Sequence, residues 1–322
     1  MKKKIKGFLQ SLSKFFRFFY RLFYANVVVF YKKLHCAAIN KTCLDKYFLS
    51  HEYNNCSFYP TLLRKNPRKA ARIYRRIVSF DDNGIPWVKG FEQKYWPVTI
   101  IQFGLLSYNF YLSYEKKEYL DNVKAVCDWL IKNIEDDGKI LHKVVYHSSI
   151  TNEDILPPYC SAMVQGEAIS LLVRGFHLFN NKNYLEYAQK ALSPFNIPTN
   201  DGGVMETIGA YSFYEEYPTP TPSHVLNGFI FSLFGLFDLS KEDCGSAKDA
   251  KILFEKGVNT LNTFLPLYDG GFCSRYDLSH FTCAPNNSNM NPFYHFIHIN
   301  QLIALNSFIK SSTITYYINL WK

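Results

Sequence analysis

Four short turns recur along the chain, and they constrain its architecture more than any other feature. They read Asp82-Asn83-Gly84-Ile85, Asp136-Asp137-Gly138-Lys139-Ile140, Asp201-Gly202-Gly203-Val204 and Asp269-Gly270-Gly271-Phe272. Each is an acidic or amide turn that closes on glycine and runs into an apolar residue. Their last glycines stand at 84, 138, 203 and 271, so the intervals are 54, 65 and 68 residues. Glycine suits a turn that needs positive φ. A turn repeating at this interval marks a repeating supersecondary unit.

Between the turns the patterns are helical and of two kinds. Segments 95–114, 158–180, 223–239 and 294–310 are apolar on most faces, which implies burial all round. Alternating with them are amphipathic stretches. Val123, Val126, Leu130 and Ile134 form one stripe over 120–134, and Phe254, Val258, Leu261 and Leu265 another over 246–265. Segments 184–195 and 314–321 complete four pairs. Buried helices alternating with half-exposed ones predict a mainly α chain. Its expected form is an α/α barrel, or toroid, of about four helical hairpins, with the apolar helices as the inner ring. Each inner helix carries an amide among its apolar residues: Gln102, Gln165, Asn227 and Gln301. A buried amide must find partners. It either ties neighbouring helices together or lines the mouth where a polar ligand sits.

The domain expectation is a basic amphipathic segment over 1–40, a small irregular or β-containing arm over 41–90, and the barrel over 91–322. The chain has 322 residues, 48% of them hydrophobic, which excludes intrinsic disorder. The net charge of +9 is local. Nine Lys or Arg and no acid fall in residues 1–34, and the remainder balances at 27 against 27. A nucleic-acid partner needs basic charge on the folded body and is not expected. Residues 22–31 are the longest uncharged stretch near the start, too short for a bilayer-spanning helix of about 20 residues. Lys14, Arg17 and Arg21 break any signal-peptide core. The segment suits a helix lying in a membrane interface, with Phe8, Phe15, Phe16, Phe19 and Phe23 in the acyl boundary. The competing reading packs it on the protein, or on a second subunit as a homodimer. Eight cysteines without a C-x-x-C pair read as reduced thiols. The compartment expected is cytoplasmic, with peripheral membrane association.

Nucleotide-binding glycine loops, the G-x-S-x-G elbow and H-E-x-x-H are all missing from the sequence. His295 and His298 share one helix face, but no third ligand accompanies them, so no metal site is expected. Three polar clusters remain. Tyr214-Glu215-Glu216-Tyr217 precedes Pro218, Pro220 and Pro222, which stiffen a loop before a buried helix, with Ser223 as its expected cap. Arg275-Tyr276-Asp277 follows the last glycine turn. Tyr294-His295 opens the last inner helix. In a barrel all three could share one face, and carboxylates beside phenols are acid–base material.

These residues resemble the D-glucuronyl C5-epimerase family. The resemblance rests on Ser161-Ala162-Met163-Val164-Gln165-Gly166-Glu167-Ala168-Ile169-Ser170, on Glu215-Glu216-Tyr217-Pro218-Thr219, and on Val225-Leu226-Asn227-Gly228-Phe229. It continues through Leu265-Pro266-Leu267-Tyr268-Asp269, Tyr276-Asp277-Leu278, Tyr294-His295 and His298-Ile299-Asn300-Gln301-Leu302. Trp96-Pro97-Val98 and Gln102-Phe103-Gly104-Leu105 echo it upstream. The resemblance implies an α/α-barrel catalytic domain, and an isomerase that inverts C5 of D-glucuronic acid in a glycan to give L-iduronic acid. It implies catalytic roles for Glu216, Tyr217, Tyr276 and Tyr294. Gln102, Tyr159, Gln165, Asn227, Arg275, His295 and His298 are the candidate substrate-binding residues. Ser279 stands where the family has a uronate-contacting arginine, and Arg275 is the candidate replacement.

A proton beside a carboxylate is weakly acidic, because its loss puts a second negative charge on that group. Hydrogen bonds or a cation must stabilise that charge. Inversion then needs one proton-transfer group on each face of the ring: Glu216 and Tyr217 on one, Tyr276 or Tyr294 on the other. That chemistry requires no cofactor. The partner expected is a uronic-acid-containing glycan, lipid-linked or nascent if the N-terminus sits on a membrane. The alternative is a polysaccharide lyase, which abstracts the same proton and eliminates the 4-linked sugar. A glycoside hydrolase using Glu216 and Asp277, and a non-catalytic glycan-binding protein, are further rivals.

Overall fold

The computed structural model describes residues 53–60, 78–88, 95–283 and 289–322. The basic segment over 1–40 and most of the arm over 41–90 lie outside the described residues. Four helical hairpins make up the body. They are α1 (Pro97–Tyr114) with α2 (Lys117–Asn133), α3 (Ala162–Phe179) with α4 (Lys182–Lys190), α5 (Leu226–Ser240) with α6 (Ala247–Phe264), and α7 (Pro292–Ile309) with α8 (Ser312–Trp321). The odd-numbered helices pack on one another in chain order, and each even-numbered helix covers its partner from outside. This is the expected α/α toroid arrangement. α5 is buried from Leu226 to Leu239, whereas α2 buries only Tyr119, Asn122, Val123, Val126, Cys127 and Leu130. The apolar and amphipathic segments thus take inner and outer places as their periodicity dictates.

Helix ends follow local chemistry. Pro97 and Pro292 sit in first turns, where a missing N–H costs nothing. Three inner helices end on left-handed residues: Glu115 (φ 52°), Asn180 (φ 49°) and Lys310 (φ 59°). Asn181 and Ser311 then cap the next helices, accepting from Asn183 N and Ile314 N at 3.2 Å. Segment 184–195 is shorter than predicted. The helix stops at Lys190, and a 3₁₀ turn over Ser193–Asn196 follows. The third glycine turn bends at Gly202 (φ 80°), not at Gly203. Gly203 is needed for space, since a Cβ there would run into the Ile197 carbonyl.

Three antiparallel hairpins fill links from outer to inner helices or lead into the first: β1–β2 (Val78–Phe80, Pro86–Val88), β3–β4 (Tyr146–His147, Asp154–Ile155) and β5–β6 (Met205–Ile208, Tyr211–Tyr214). Because every inner helix runs the same way, their N-termini share one end of the toroid. The other end is filled from residues 53–60. Tyr59 stacks on Phe231 at 6.0 Å, and its backbone N and O pair with the Asn109 amide at 2.8 Å each. Among the described residues no helix is long and apolar enough to cross a membrane.

The tightest packing lies between α3 and α5. A Cβ on Gly166 would sit 2.9 Å from the Phe231 carbonyl oxygen and closer still to Ser232 Cα. Gly235 meets the Gly166 backbone in the same way. Backbone cannot swing aside as a side chain can. Gly166→Ala is therefore expected to cost about 3 kcal/mol, read as a fall in Tm on the order of 10 °C. An unchanged Tm would contradict this helix spacing.

Candidate active site

The loop after β6 is built around two adjacent glutamates with different fates. Glu215 anchors it. Its N–H donates to Val204 O and its carbonyl accepts from Ala162 N, both at 2.9 Å. Its carboxylate accepts from His224 N at 3.0 Å and Ser223 Oγ at 3.3 Å, and lies 2.7 Å from His224 Nδ1. Ser223 is thus a loop tie rather than the expected helix cap; α5 begins at Leu226 with Val225 before it.

Glu216 is held and left unsatisfied. It is 7% exposed, and its Oε2 has no hydrogen-bond partner. Gly228 gives it room, since any Cβ there would overlap the Glu216 side chain. Burial pushes its carboxyl up to about 7; a hydrogen bond from Tyr217 opposes this, and the Glu215 charge adds to it. It therefore titrates where a general base for neutral pH should.

The phenols gather beside it. Tyr217, Tyr276 and Tyr294 pack with Ile150 and Val225 in one apolar cluster. The rings of Tyr276 and Tyr294 lie 4.2 Å apart at 49°. Tyr217 stacks on Tyr146 at 4.8 Å and 3°. Burial first, then the charges of Glu216 and Tyr276, hold the Tyr217 hydroxyl well above the usual phenol range. Tyr276 is fixed at the start of α5: its N–H donates to Asn289 O at 2.8 Å, and its carbonyl accepts from Leu226 N at 2.9 Å. Tyr294 stands in the first turn of α7, where Asn291 caps Phe293 N at 2.9 Å.

The candidate substrate-binding residues divide. Tyr159 is buried and stacked on His142 at 4.7 Å, within electrostatic reach of Tyr146 and Glu216. Asn227 is 4% exposed, and its Oδ1 has no partner. His298 binds Ser274 Oγ through Nδ1 at 2.7 Å, leaving Nε2 buried without a partner. Arg275 is half-buried, lies within electrostatic reach of His280 and forms no ion pair among the described residues. Gln102 donates to Glu167 Oε1 at 3.2 Å.

Two candidates are spent on structure. Gln165 donates to Gly138 O and Ala191 O at 2.9 Å each and accepts from Ile140 N at 2.8 Å. Fully buried, it clamps the second glycine turn onto α3. His295 Nδ1 accepts from Ser274 N at 2.8 Å, and its other nitrogen faces Trp321 O at 3.1 Å. It latches α8 to the loop, and burial lowers its imidazole to about 4. Ser279 is likewise turned inward, its N–H donating to Asp277 Oδ1 at 2.9 Å. Asp277 also takes Asn289 Nδ2 at 2.8 Å, so both its oxygens are occupied.

Two residues near this site fall outside the expected set. Tyr146 lies in an ordinary two-residue strand. Glu167 is fully buried on α3 with Oε2 unpaired, and burial first, then the charge of Glu216, raises it well above the carboxyl range. A lone acid inside an apolar helix was the available clue.

Residues 135–322 match the family described as D-glucuronyl C5-epimerase C-terminus. A D-glucuronyl C5-epimerase of Caenorhabditis elegans is 38% identical over 211 residues, 61% of this chain and 34% of that protein. The chain thus spans about a third of that relative's length. An uncharacterized protein of Methanocaldococcus jannaschii is 28% identical over 219 residues, 65% of this chain and 68% of that one. The solved structure of a family 76 glycoside hydrolase from a bovine Bacteroides thetaiotaomicron strain overlaps 71% of this chain and 48% of its own, with a TM-score of 0.47 and 14% identity.

Proposed function

The chain belongs to the D-glucuronyl C5-epimerase family, and from that membership we propose that it is an isomerase inverting C5 of D-glucuronic acid units in a glycan to L-iduronic acid. The observation that carries the reading is Glu216: a buried carboxyl titrating near 7, with one oxygen unpaired, beside three clustered tyrosines.

Ionised Glu216 takes the C5 proton, and the electron pair of the C–H bond moves into the uronate carboxylate. The Tyr276 or Tyr294 hydroxyl, on the opposite ring face, gives its proton to C5 and forms the new C–H bond. The resulting phenolate is reprotonated from solvent, while Glu216, with Tyr217 beside it as the relay, gives its proton up to solvent. Arg275 is the proposed cation for the uronate, and Asn227 Oδ1 and Tyr159 the proposed partners for sugar hydroxyls. Asp277, with both oxygens engaged, is a poor second carboxylate for glycoside hydrolysis. The basic aromatic N-terminus supports action at a cytoplasmic membrane surface on a lipid-linked or nascent glycan.

The test incubates the full chain with unsulfated and sulfated glucuronate polymers in heavy water and follows proton NMR. Deuterium at C5 with unchanged chain length is expected. Unsaturated, UV-absorbing ends would assign the lyase reaction instead, and new reducing ends hydrolysis.

A further inference from the structure

The β3–β4 hairpin is fastened to the Tyr217 loop at several points. Thr221 donates to Glu153 through Oγ1 at 3.1 Å and through N at 3.4 Å. Ile150, at the hairpin turn, packs against Tyr276 and Val225. Ser148 closes that turn, taking Ile150 N at 3.3 Å and Thr151 N at 3.2 Å on its hydroxyl and donating its own N–H to Glu153 O at 2.8 Å. Between these fastenings Tyr146 lays its ring flat on Tyr217, 4.8 Å away and 3° from parallel. Trp96 backs Tyr146 at 6.4 Å.

The three prolines stiffen the backbone around Tyr217 but leave its side-chain torsions free. A half-buried phenol in a loop would sweep an arc of several ångströms. A parallel partner removes that arc and covers one face of the ring. The substrate side of Tyr217 is then the one turned toward Tyr276 and Tyr294. The two hydroxyls also lie within hydrogen-bonding reach of each other.

We propose that Tyr146 is a positioning residue for the epimerisation, holding the Tyr217 phenol in the plane and orientation from which it relays protons for Glu216. This rests on the epimerase reading above. Tyr146 contributes by fixing another group, so its loss acts on turnover and not on substrate affinity. A misplacement of about 1 Å at a reacting group costs on the order of 10²-fold.

The experiment compares Tyr146→Phe and Tyr146→Leu with the parent chain in the C5 exchange assay. Phenylalanine keeps the stack and removes the hydroxyl; leucine removes both. The expected result is a kcat lowered about tenfold for Tyr146→Phe and about 10²-fold for Tyr146→Leu, with KM within about twofold and Tm nearly unchanged. The pH–rate profile of Tyr146→Phe is expected to move by about half a unit or more, because Tyr217 loses a hydrogen-bond partner. If Tyr146→Leu does not fold, Tyr146→Phe alone decides. Parent-like kcat and pH profile in Tyr146→Phe, or a rise confined to KM, would overturn the proposal while leaving the epimerase reading intact. A parent chain without exchange on any uronate polymer would overturn both.

Discussion

Glu216→Gln is expected to slow C5 exchange by about 10³-fold, the scale of a lost general base, while leaving the fold in place. Glutamine has nearly the same shape and keeps the contact with Gly228 that fixes this side chain. What it cannot do is accept a proton from carbon. The pH dependence follows from the same group. The base must be ionised, so the parent rate falls as pH drops through about 7, where Glu216 protonates. Stability moves the opposite way. A carboxyl raised from 4.5 to about 7 by burial favours the protonated fold; that contribution is full below about 4.5 and is lost as pH rises through about 7. The ionised form therefore weakens the fold by about 3 kcal/mol above neutrality. Glu216→Gln removes that cost, so above neutrality the variant should melt higher than the parent while being nearly inactive. Full activity, or a lower Tm above neutrality, would contradict the role assigned to this carboxyl.

Asp238→Ala is expected to destabilise the chain by about 3–5 kcal/mol, the scale for a buried charge left without its partner. Arg174 and Asp238 are both fully buried, on α3 and α5, at the end of the toroid away from the tyrosines. Arg174 Nη1 donates to Asp238 Oδ2 at 2.6 Å, and Tyr53 donates to the same oxygen at 2.9 Å. The guanidinium also lies 5.3–5.5 Å from the ring centres of Tyr53, Tyr59 and Tyr108. Those rings attract the cation but cannot neutralise it, and a guanidinium does not shed its proton. Thermal melting should show a Tm lower by on the order of 10 °C. Replacing both partners, Arg174→Met with Asp238→Leu, should recover most of the loss, because no charge is then stranded. A single variant as stable as the parent would mean that water reaches this pair.

What the sequence makes legible depends on what each residue type can signal. Periodicity identified inner and outer helices, because an all-apolar helix has no solvent face. The glycine turns marked the hairpin repeat, because each keeps a glycine at positive φ: Gly84, Gly138, Gly202 and Gly271. Glu216 and the three tyrosines were visible through their motifs, and the structure gathers them at one end of the toroid. Gln165 shows the limit of sequence, because a buried amide that clamps a turn and one that binds a sugar look alike there, and in the structure its amide is engaged by backbone. The latch made by His295 is invisible in sequence because its partner, Trp321 O, is a backbone atom 26 residues away. Tyr146 and the Arg174–Asp238 pair were missed for the same reason: contacts across 71 and 64 residues are set by the toroid and not by local pattern. A lone Arg in α3 and a lone Asp in α5 were the only trace.

Proton transfer from opposite faces of one sugar ring is tested most directly by the isotope content of the product. Glucuronate polymer carrying ordinary hydrogen at C5 is converted in heavy water, and the first L-iduronate formed is analysed by mass and NMR. Two groups on opposite faces predict that nearly every new iduronate carries solvent deuterium at C5. Iduronate retaining its original hydrogen, or no iduronate at all, would contradict it.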